Sequence, residues 1–362
     1  MPLEKAHIKN FRNIEEALLT FDNGFNLIIG DNRSGKTSLI EALHFLFSYR
    51  SFRTQNLQET ISQHASQNFV QGIFINAAGK RIKARVERRR NNTSSVFTCD
   101  DSAITKLSNW VKHAPAMLVN SDIHQLISGS PQGRRKLLDW GVFHVEPLFE
   151  VSWKTFSRLL KQRNALLKRS PEKEVVTTWD KLFVEAAEEV TRHREMHIAK
   201  YTPVICELGK RVLGEEQIKL TYHRGWPEGV SLKETLSLSL ARDTKIKNTE
   251  YGPHRADISV TIGRGSSRYF SSRGEQKLLG YIMSAAQTIL LNQEKDLQCI
   301  ILCDDLESEL DENSSRLLIE MLATLPHQTI VTSITGAGGL YKKIDPHVFH
   351  VKHGVFSQNP SL

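Results

Sequence analysis

No run in this chain comes near the ~20 consecutive apolar residues that a membrane-crossing helix needs, so a protein built on such spans is not expected. Cysteine is scarce. The four present, at 99, 206, 299 and 303, show no spacing suited to a metal site. Cys299 and Cys303 sit in an apolar, strand-like run and read as small core residues. The opening Met-Pro-Leu-Glu-Lys-Ala-His has no apolar signal core, which makes the cytoplasm the expected compartment. Internal repeats and low-complexity segments are missing as well. What remains is an ordinary globular composition, 40% apolar and 24% charged over 362 residues, a length that suits about two domains. A net charge of +8 permits a polyanionic partner without requiring one.

Within that ordinary composition, Gly30-Asp-Asn-Arg-Ser-Gly-Lys-Thr37 fits G-x-x-x-x-G-K-[ST], the phosphate-binding P-loop. The apolar run Phe25–Ile29 precedes it and reads as a buried strand. Ser38 to Phe47 follows, with apolar residues at 39, 40, 43 and 47, which is helical spacing. Strand, loop, helix is the context the motif requires. Backbone N–H groups at a helix N-terminus face an anion, and the helix dipole favours negative charge there. Lys36 is expected on the β- and γ-phosphates and Thr37 on Mg²⁺. The other positions of the stretch, Gly30, Asp31, Asn32, Arg33, Ser34, Gly35 and Ser38, are expected to line ATP. A glycine-bounded turn that binds nothing is the bland alternative.

Residues 4–8 and 16–29 alternate or run apolar, with a turn signal at Asp22-Asn-Gly24, and predict a hairpin leading into the P-loop strand. Residues 69–100 hold two or three more strands, with turns at Ala78-Gly-Lys80 and Asn91-Asn92. That stretch is strongly basic, through Lys80, Arg81, Lys83, Arg85, Arg88, Arg89 and Arg90. Lys83 and Arg85 share strand parity. A solvated sheet face and a phosphate-tracking surface explain the run equally well. On the second reading Lys83, Arg85, Arg88 and Arg89 are the candidate DNA contacts. From 134 to 215 the pattern turns helical. Trp153, Phe156, Leu159, Leu160, Leu166 and Leu167 recur at threes and fours, Ser170-Pro171 breaks the run, and a second helix is expected over roughly 175–213. Two long helices with a short break predict an antiparallel hairpin, too short for an extended coiled coil. Strand-like alternation returns at Ile258–Ile262.

Ile300-Ile-Leu-Cys-Asp-Asp305 is an apolar strand that ends in two acids, a Walker B pattern. Such a strand delivers Asp304 to the C-terminal edge of the sheet beside the P-loop. There Asp304 can hold Mg²⁺ through water while Asp305 orients or deprotonates the attacking water. Upstream, Ser271-Ser-Arg-Gly-Glu-Gln276 resembles the signature motif of ABC-type ATPases, ahead of a helix expected from Gln276 to Leu291. In that class the signature, here Ser272 and Gly274, contacts the γ-phosphate held by a partner head. Ser308-Glu-Leu-Asp311 is similar to the D-loop of the same class, which brings Asp311 into the expected site. A serine helix cap and an acidic loop are the structural alternatives. Most of the chain separates the P-loop from the Asp304 pair, farther than in simple P-loop kinases. That spacing fits a head interrupted by an insertion. The expected fold is therefore α/β: an ABC-type ATPase head (mixed sheet with P-loop) over residues 1–120 and 245–362, plus a mostly helical arm over 121–244.

Taken together the motifs resemble the RecF family of recombination-mediator ATPases, relatives of SMC proteins. Ile8-Lys-Asn-Phe-Arg-Asn13, Leu39-Ile-Glu-Ala42 and Ser51-Phe-Arg-Thr54 carry the likeness around the P-loop. Gly129-Ser-Pro131 with Arg134-Arg135 and Leu138-Asp139, Lys161-Gln-Arg-Asn-Ala-Leu-Leu167, Gly252-Pro-His-Arg255 with Asp257, and Asp304-Asp305 with Ser308–Asp311 extend it. The resemblance implies an ATP-dependent homodimer that closes head to head on ATP and Mg²⁺ and engages double-stranded and gapped DNA. It further implies work with RecO and RecR in promoting RecA loading at single-strand gaps, weak ATP hydrolysis, and a cytoplasmic, nucleoid-associated location. A generic ABC-type subunit driving another partner is the alternative.

The chain departs from the family pattern in places. Arg33 stands where glycine is more usual; if the loop needs φ > 0 there, arginine costs about 1 kcal/mol or more. Glu275 replaces the more usual glutamine, and Ala256 stands where a second acid is common. Near Val119–Asp122 only Asp122 of the family's P-E-D remains. The switch position after the last core strand has no histidine, which leaves Thr332 as the candidate.

Overall fold

The computed structural model describes residues 1–91, 95–104, 106–169, 173–214, 218–263, 265–266, 272–334 and 336–358. Ser271 and the Ser170-Pro171 break lie outside these residues. Packing divides the chain into two units, Met1–Ile123 with Leu291–Leu362, and His124–Leu290. The segment 245–290, expected with the head, thus falls in the second unit.

In chain order the first unit opens with β1 (Leu3–Phe11), β2 (Ile14–Thr20), β3 (Phe25–Ile29) and α1 (Lys36–Ser48). It continues with β4 (Gln67–Ile75), β5 (Arg81–Arg89), β6 (Val96–Cys99), β7 (Ser102–Ala103), α2 (Leu107–His113) and β8 (Ala116–Val119). The second unit holds α3 (Gln125–Ser128), α4 (Pro131–Val145), α5 (Phe149–Leu167), α6 (Lys173–Leu213), β9 (Ile218–His223), α7 (Leu232–Ile246), β10 (Asp257–Ile262) and β11 (Gly265–Ser266). Helix α8 (Arg273–Lys295) leads back to the first unit, which ends with β12 (Ile300–Cys303), α9 (Glu312–Ala323), β13 (Gln328–Ser333), β14 (His347–Lys352) and β15 (Val355–Gln358).

Two sheets build the first unit. One is antiparallel, in the order β2-β1-β4-β5-β6-β7. The other runs β15-β14-β3-β13-β12-β8, parallel except for β15. All six residues of β13 are buried, as a parallel strand covered on both faces should be. Helix α1 shares one core with both sheets. Its Leu39, Ile40, Leu43, Phe45 and Leu46 join Ile8, Phe11, Val70 and Phe74 of the first sheet and Ile28, Leu302 and Ile330 of the second. The helix that opens at the P-loop is thereby fixed by burial on several sides.

The expected hairpin forms, but its turn lies elsewhere. β1 pairs with β2 through Phe11↔Ile14, closing over Arg12 and Asn13 with Arg12 left-handed at φ 55. The Asp22-Asn-Gly24 signal marks instead the crossing into the second sheet. Asn26 closes that turn by accepting from the Asp22 N–H and donating to the Asp22 carbonyl.

In the second unit α5 and α6 pack antiparallel, since Phe149 meets His193, Phe156 meets Phe183 and Arg163 meets Asp180. Three buried guanidiniums lock this unit. Arg163 bonds Asp180 and Asp243, each at 2.7 Å, and Thr249 at 2.9 Å. Arg134 makes a two-pronged pair with Asp257 at 2.7 and 3.0 Å. Arg194 does the same with Asp139 at 2.8 and 2.9 Å. Removing one partner from such a pair leaves a buried charge, a loss of roughly 3–5 kcal/mol.

Candidate functional site

A cleft of about 1170 Å³ opens over the P-loop, lined wholly by residues of the first unit. Two constraints shape the loop. A Cβ at Gly30 would lie 2.4 Å from the Val351 carbonyl oxygen, so only glycine fits there. Gly35 sits at φ 122, a conformation closed to other residues, just before α1 begins. The N-cap of α1 is Gly35, which has no side chain to cap the helix, and the first residues of α1, Lys36, Thr37 and Ser38, line the cleft, the place where a helix N-terminus can take an anion. Lys36 donates to the Gly30 and Asp31 carbonyls. Burial holds its ammonium below the usual lysine range, against the pull of Asp305, Asp304 and Asp31. The Ser34 hydroxyl is buried without a hydrogen-bond partner among the described residues. A lysine, an uncapped helix N-terminus and an orphaned hydroxyl together fit a polyphosphate.

Across the loop, β13 lies between the P-loop strand β3 and the acid-bearing strand β12. Asp304 follows β12 with its N–H on the Val119 carbonyl at 2.9 Å. Its Oδ1 accepts from Thr37 Oγ1 at 3.2 Å and Thr332 Oγ1 at 2.9 Å. Burial pushes the Asp304 carboxyl above the ordinary aspartate range, while those two hydroxyls pull it down. A half-compensated carboxylate beside a threonine hydroxyl is a hard-oxygen pair, and it fits Mg²⁺. Asp305 lines the same cleft and adopts φ 56, left-handed for a non-glycine residue. Arg33 is left-handed too, at φ 65, with its side chain exposed at the cleft.

The profile of the RecF/RecN/SMC N-terminal domain matches residues 2–353. The DNA replication and repair protein RecF of Shewanella sediminis is 35% identical over 360 residues, covering 98% of each chain. That of Vibrio vulnificus is 33% identical over 359 residues, 99% of this chain and all of the relative. The chain belongs to the RecF family. Among solved structures, the ATP complex of the recombination mediator RecF of the RecFOR pathway superposes with a TM-score of 0.85 at 23% identity, covering 99% of this chain and 97% of that one. The Smc head domain from Pyrococcus furiosus gives 0.63 at 16% identity, with 98% and 95% covered. Both likenesses place the chain in the ABC-type head fold shared by RecF and Smc.

Three of the RecF-type motifs converge on one carboxylate that the sequence did not single out. Glu41 of α1 is fully buried. It accepts from Arg12 Nε and Nη2 at 3.0 and 2.7 Å, Ser51 Oγ at 2.6 Å and Arg53 Nη1 at 3.3 Å. Asn13 accepts from Ser38 Oγ at 2.7 Å. The motifs around 8–13, 39–42 and 51–54 are thus one knot at the mouth of the cleft, where Arg12 and Arg53 join the lining. Their local patterns carry no sign of this, because each lacks its partner until the chain folds.

The remaining site residues belong to other places. Ser272 and Gly274 stand at the start of α8 in the second unit. Ser272 Oγ accepts from the Glu275 N–H at 3.3 Å and Glu275 Oε2 from the Ser272 N–H at 2.7 Å. This is a capping box. It explains locally why a glutamate works at 275. Asp311 caps α9 through the Ser314 N–H and hydroxyl, each at 2.8 Å, and these bonds hold its carboxyl below the usual range. On β5, Lys83, Arg85 and Arg89 lie on the outer sheet face, paired with Asp101, Glu87 and Glu87. The Arg85 guanidinium stacks 3.8 Å over Phe69. Arg88 has the opposite parity and is buried, 7% exposed, on the inner face, apart from the other three.

Proposed function

We propose that this chain is an ATP-switched DNA-binding protein of recombinational repair and replication-fork maintenance. The observation that carries the reading is the meeting of Thr37, Asp304 and the P-loop in one cleft. In this reading Lys36 exchanges the Gly30 and Asp31 carbonyls for phosphate oxygens, and Ser34 and the α1 N–H groups take the rest of the charge. Mg²⁺ on Thr37, and through water on Asp304, would neutralise charge between the β- and γ-phosphates. Asp305 orients the attacking water and accepts its proton, giving slow hydrolysis. Ser272, Gly274 and Asp311 of a second copy complete the γ-phosphate side, so ATP closes a homodimer. Closure aligns two copies of the outer β5 face for one DNA duplex, bound through phosphates and therefore sequence-tolerant and salt-sensitive. The partners are those of the family: RecO and RecR, and through them RecA loading at gaps.

Duplex and gapped DNA binding measured across a salt series, with ATP and with ADP, tests the reading. ATP should strengthen duplex binding and drive dimerisation in light scattering, and Lys36→Ala should lose both. Equal duplex binding in ATP and ADP at moderate salt would sink the clamp.

A further inference from the structure

Thr332, the candidate for the switch position, has its hydroxyl bonded to both acids of the cleft. Thr332 is completely buried near the end of β13. Its Oγ1 donates to Asp304 Oδ1 at 2.9 Å and accepts from the Asp305 N–H at 2.8 Å. One hydroxyl therefore ties both acids to the strand that pairs directly with the P-loop strand, through Thr332↔Ile28. The second bond matters most. Asp305 is left-handed at φ 56, a conformation that costs free energy for a non-glycine residue and persists only where surrounding contacts hold it. The N–H bond to Thr332 is such a contact. The φ value it holds decides where the Asp305 carboxylate projects. The next residue continues the tie: Ser333 Oγ donates to Glu307 Oε2 at 3.0 Å, and the Gly30 N–H meets the Ser333 carbonyl at 3.3 Å.

We infer that Thr332 is a positioning residue for hydrolysis, which holds Asp305 in its left-handed, cleft-facing conformation and Asp304 Oδ1 against Thr37. This rests on the reading of the cleft as an ATPase site. Thr332 bonds to the two acids, so its loss should separate turnover from binding.

Thr332→Val keeps the shape and removes the hydroxyl. It should bind a fluorescent ATP analogue within about threefold of wild type while kcat falls on the order of 10–100-fold, as loss of catalytic geometry does. Thr332→Ser restores the hydroxyl and should recover most of the rate. Thr329→Val is the control for a hydroxyl removed from the same strand: Thr329 is buried, and its hydroxyl has no hydrogen-bond partner among the described residues. That variant should turn over like wild type. Hydrogen exchange in the unmodified protein gives a second readout, with the Asp305 amide protected. A Thr332→Val kcat within twofold of wild type overturns the inference, as does ATP binding abolished to the extent seen in Lys36→Ala, or an Asp305 amide exchanging at the rate of unstructured chain. Should the wild type bind no ATP, the ATPase reading falls and the inference with it. A wild type that hydrolyses ATP beside an unimpaired Thr332→Val removes the inference alone.

Discussion

Arg33 holds a backbone conformation that suits glycine, at φ 65 inside the phosphate loop. The left-handed region costs a side-chain-bearing residue roughly 1–2 kcal/mol, and glycine returns part of that through a freer unfolded chain. Arg33→Gly should therefore raise stability by about 0.5 kcal/mol net, read as a higher urea midpoint without nucleotide. A lower midpoint would mean that the guanidinium holds the loop by contacts of its own. Asp305 is left-handed at the site as well. Asp305→Asn removes the proton acceptor but keeps volume and backbone, and asparagine tolerates positive φ. ATP should still bind and the dimer persist while turnover slows by 10²-fold or so, the usual scale of a lost general base. Single-turnover hydrolysis at the wild-type rate would take Asp305 out of that role.

Among whole elements, one buried histidine in each unit makes stability fall with falling pH. Burial, the largest cause, pushes His44 of α1 down to about 4, and Arg50 adds to it against the pull of Glu41. Burial likewise lowers His254 of the second unit to about 4, and the Thr249 carbonyl only partly offsets it. The unfolded chain takes up these protons near pH 6.5 and the folded chain only near 4. Falling pH in that window therefore favours unfolding, by up to about 1.4 kcal/mol per pH unit for each histidine. Urea midpoints should drop between pH 6.5 and 4.5, and His44→Leu should show a shallower drop than wild type. Parallel slopes would mean that His44 titrates alike in both states. The same elements show what a sequence does and does not display. Strand β3, the loop and α1 were legible because their signals are contiguous. The hairpin turn was not, since Asp22-Asn-Gly24 looks more turn-like than Arg12-Asn13, where Arg12 is held by Glu41, Glu59 and Thr60 from later in the chain. Parity on β5 placed Lys83 and Arg85 together, but the same rule sends Arg88 inward, and counting charge along a strand overlooks that. The Arg134–Asp257 and Arg194–Asp139 pairs join residues far apart in sequence, so their motifs read as family markers before they read as packing.

At the scale of the whole molecule, a charge of +8 says little until it is known which cations are free to meet phosphate. The outer β5 face answers in part. Lys83 pairs with Asp101 in solvent, and Arg85 and Arg89 share the half-buried Glu87; pairs near the surface stabilise by about 1 kcal/mol or less. Duplex phosphates can displace such partners at little cost, whereas Arg88 is buried in the sheet and cannot reach DNA without unfolding it. The two kinds of arginine should part in one experiment. Replacing Lys83, Arg85 and Arg89 together by alanine should weaken duplex binding and flatten the plot of log K against log salt. The slope should fall by up to about 0.9 for each phosphate no longer neutralised by the protein. Arg88→Ala should lower the melting temperature and leave the slope alone. An unchanged slope in the triple variant would make this face an ordinary solvated one and send the search for the DNA surface elsewhere on the molecule. A flattened slope in Arg88→Ala alone would mean that the sheet opens when DNA binds.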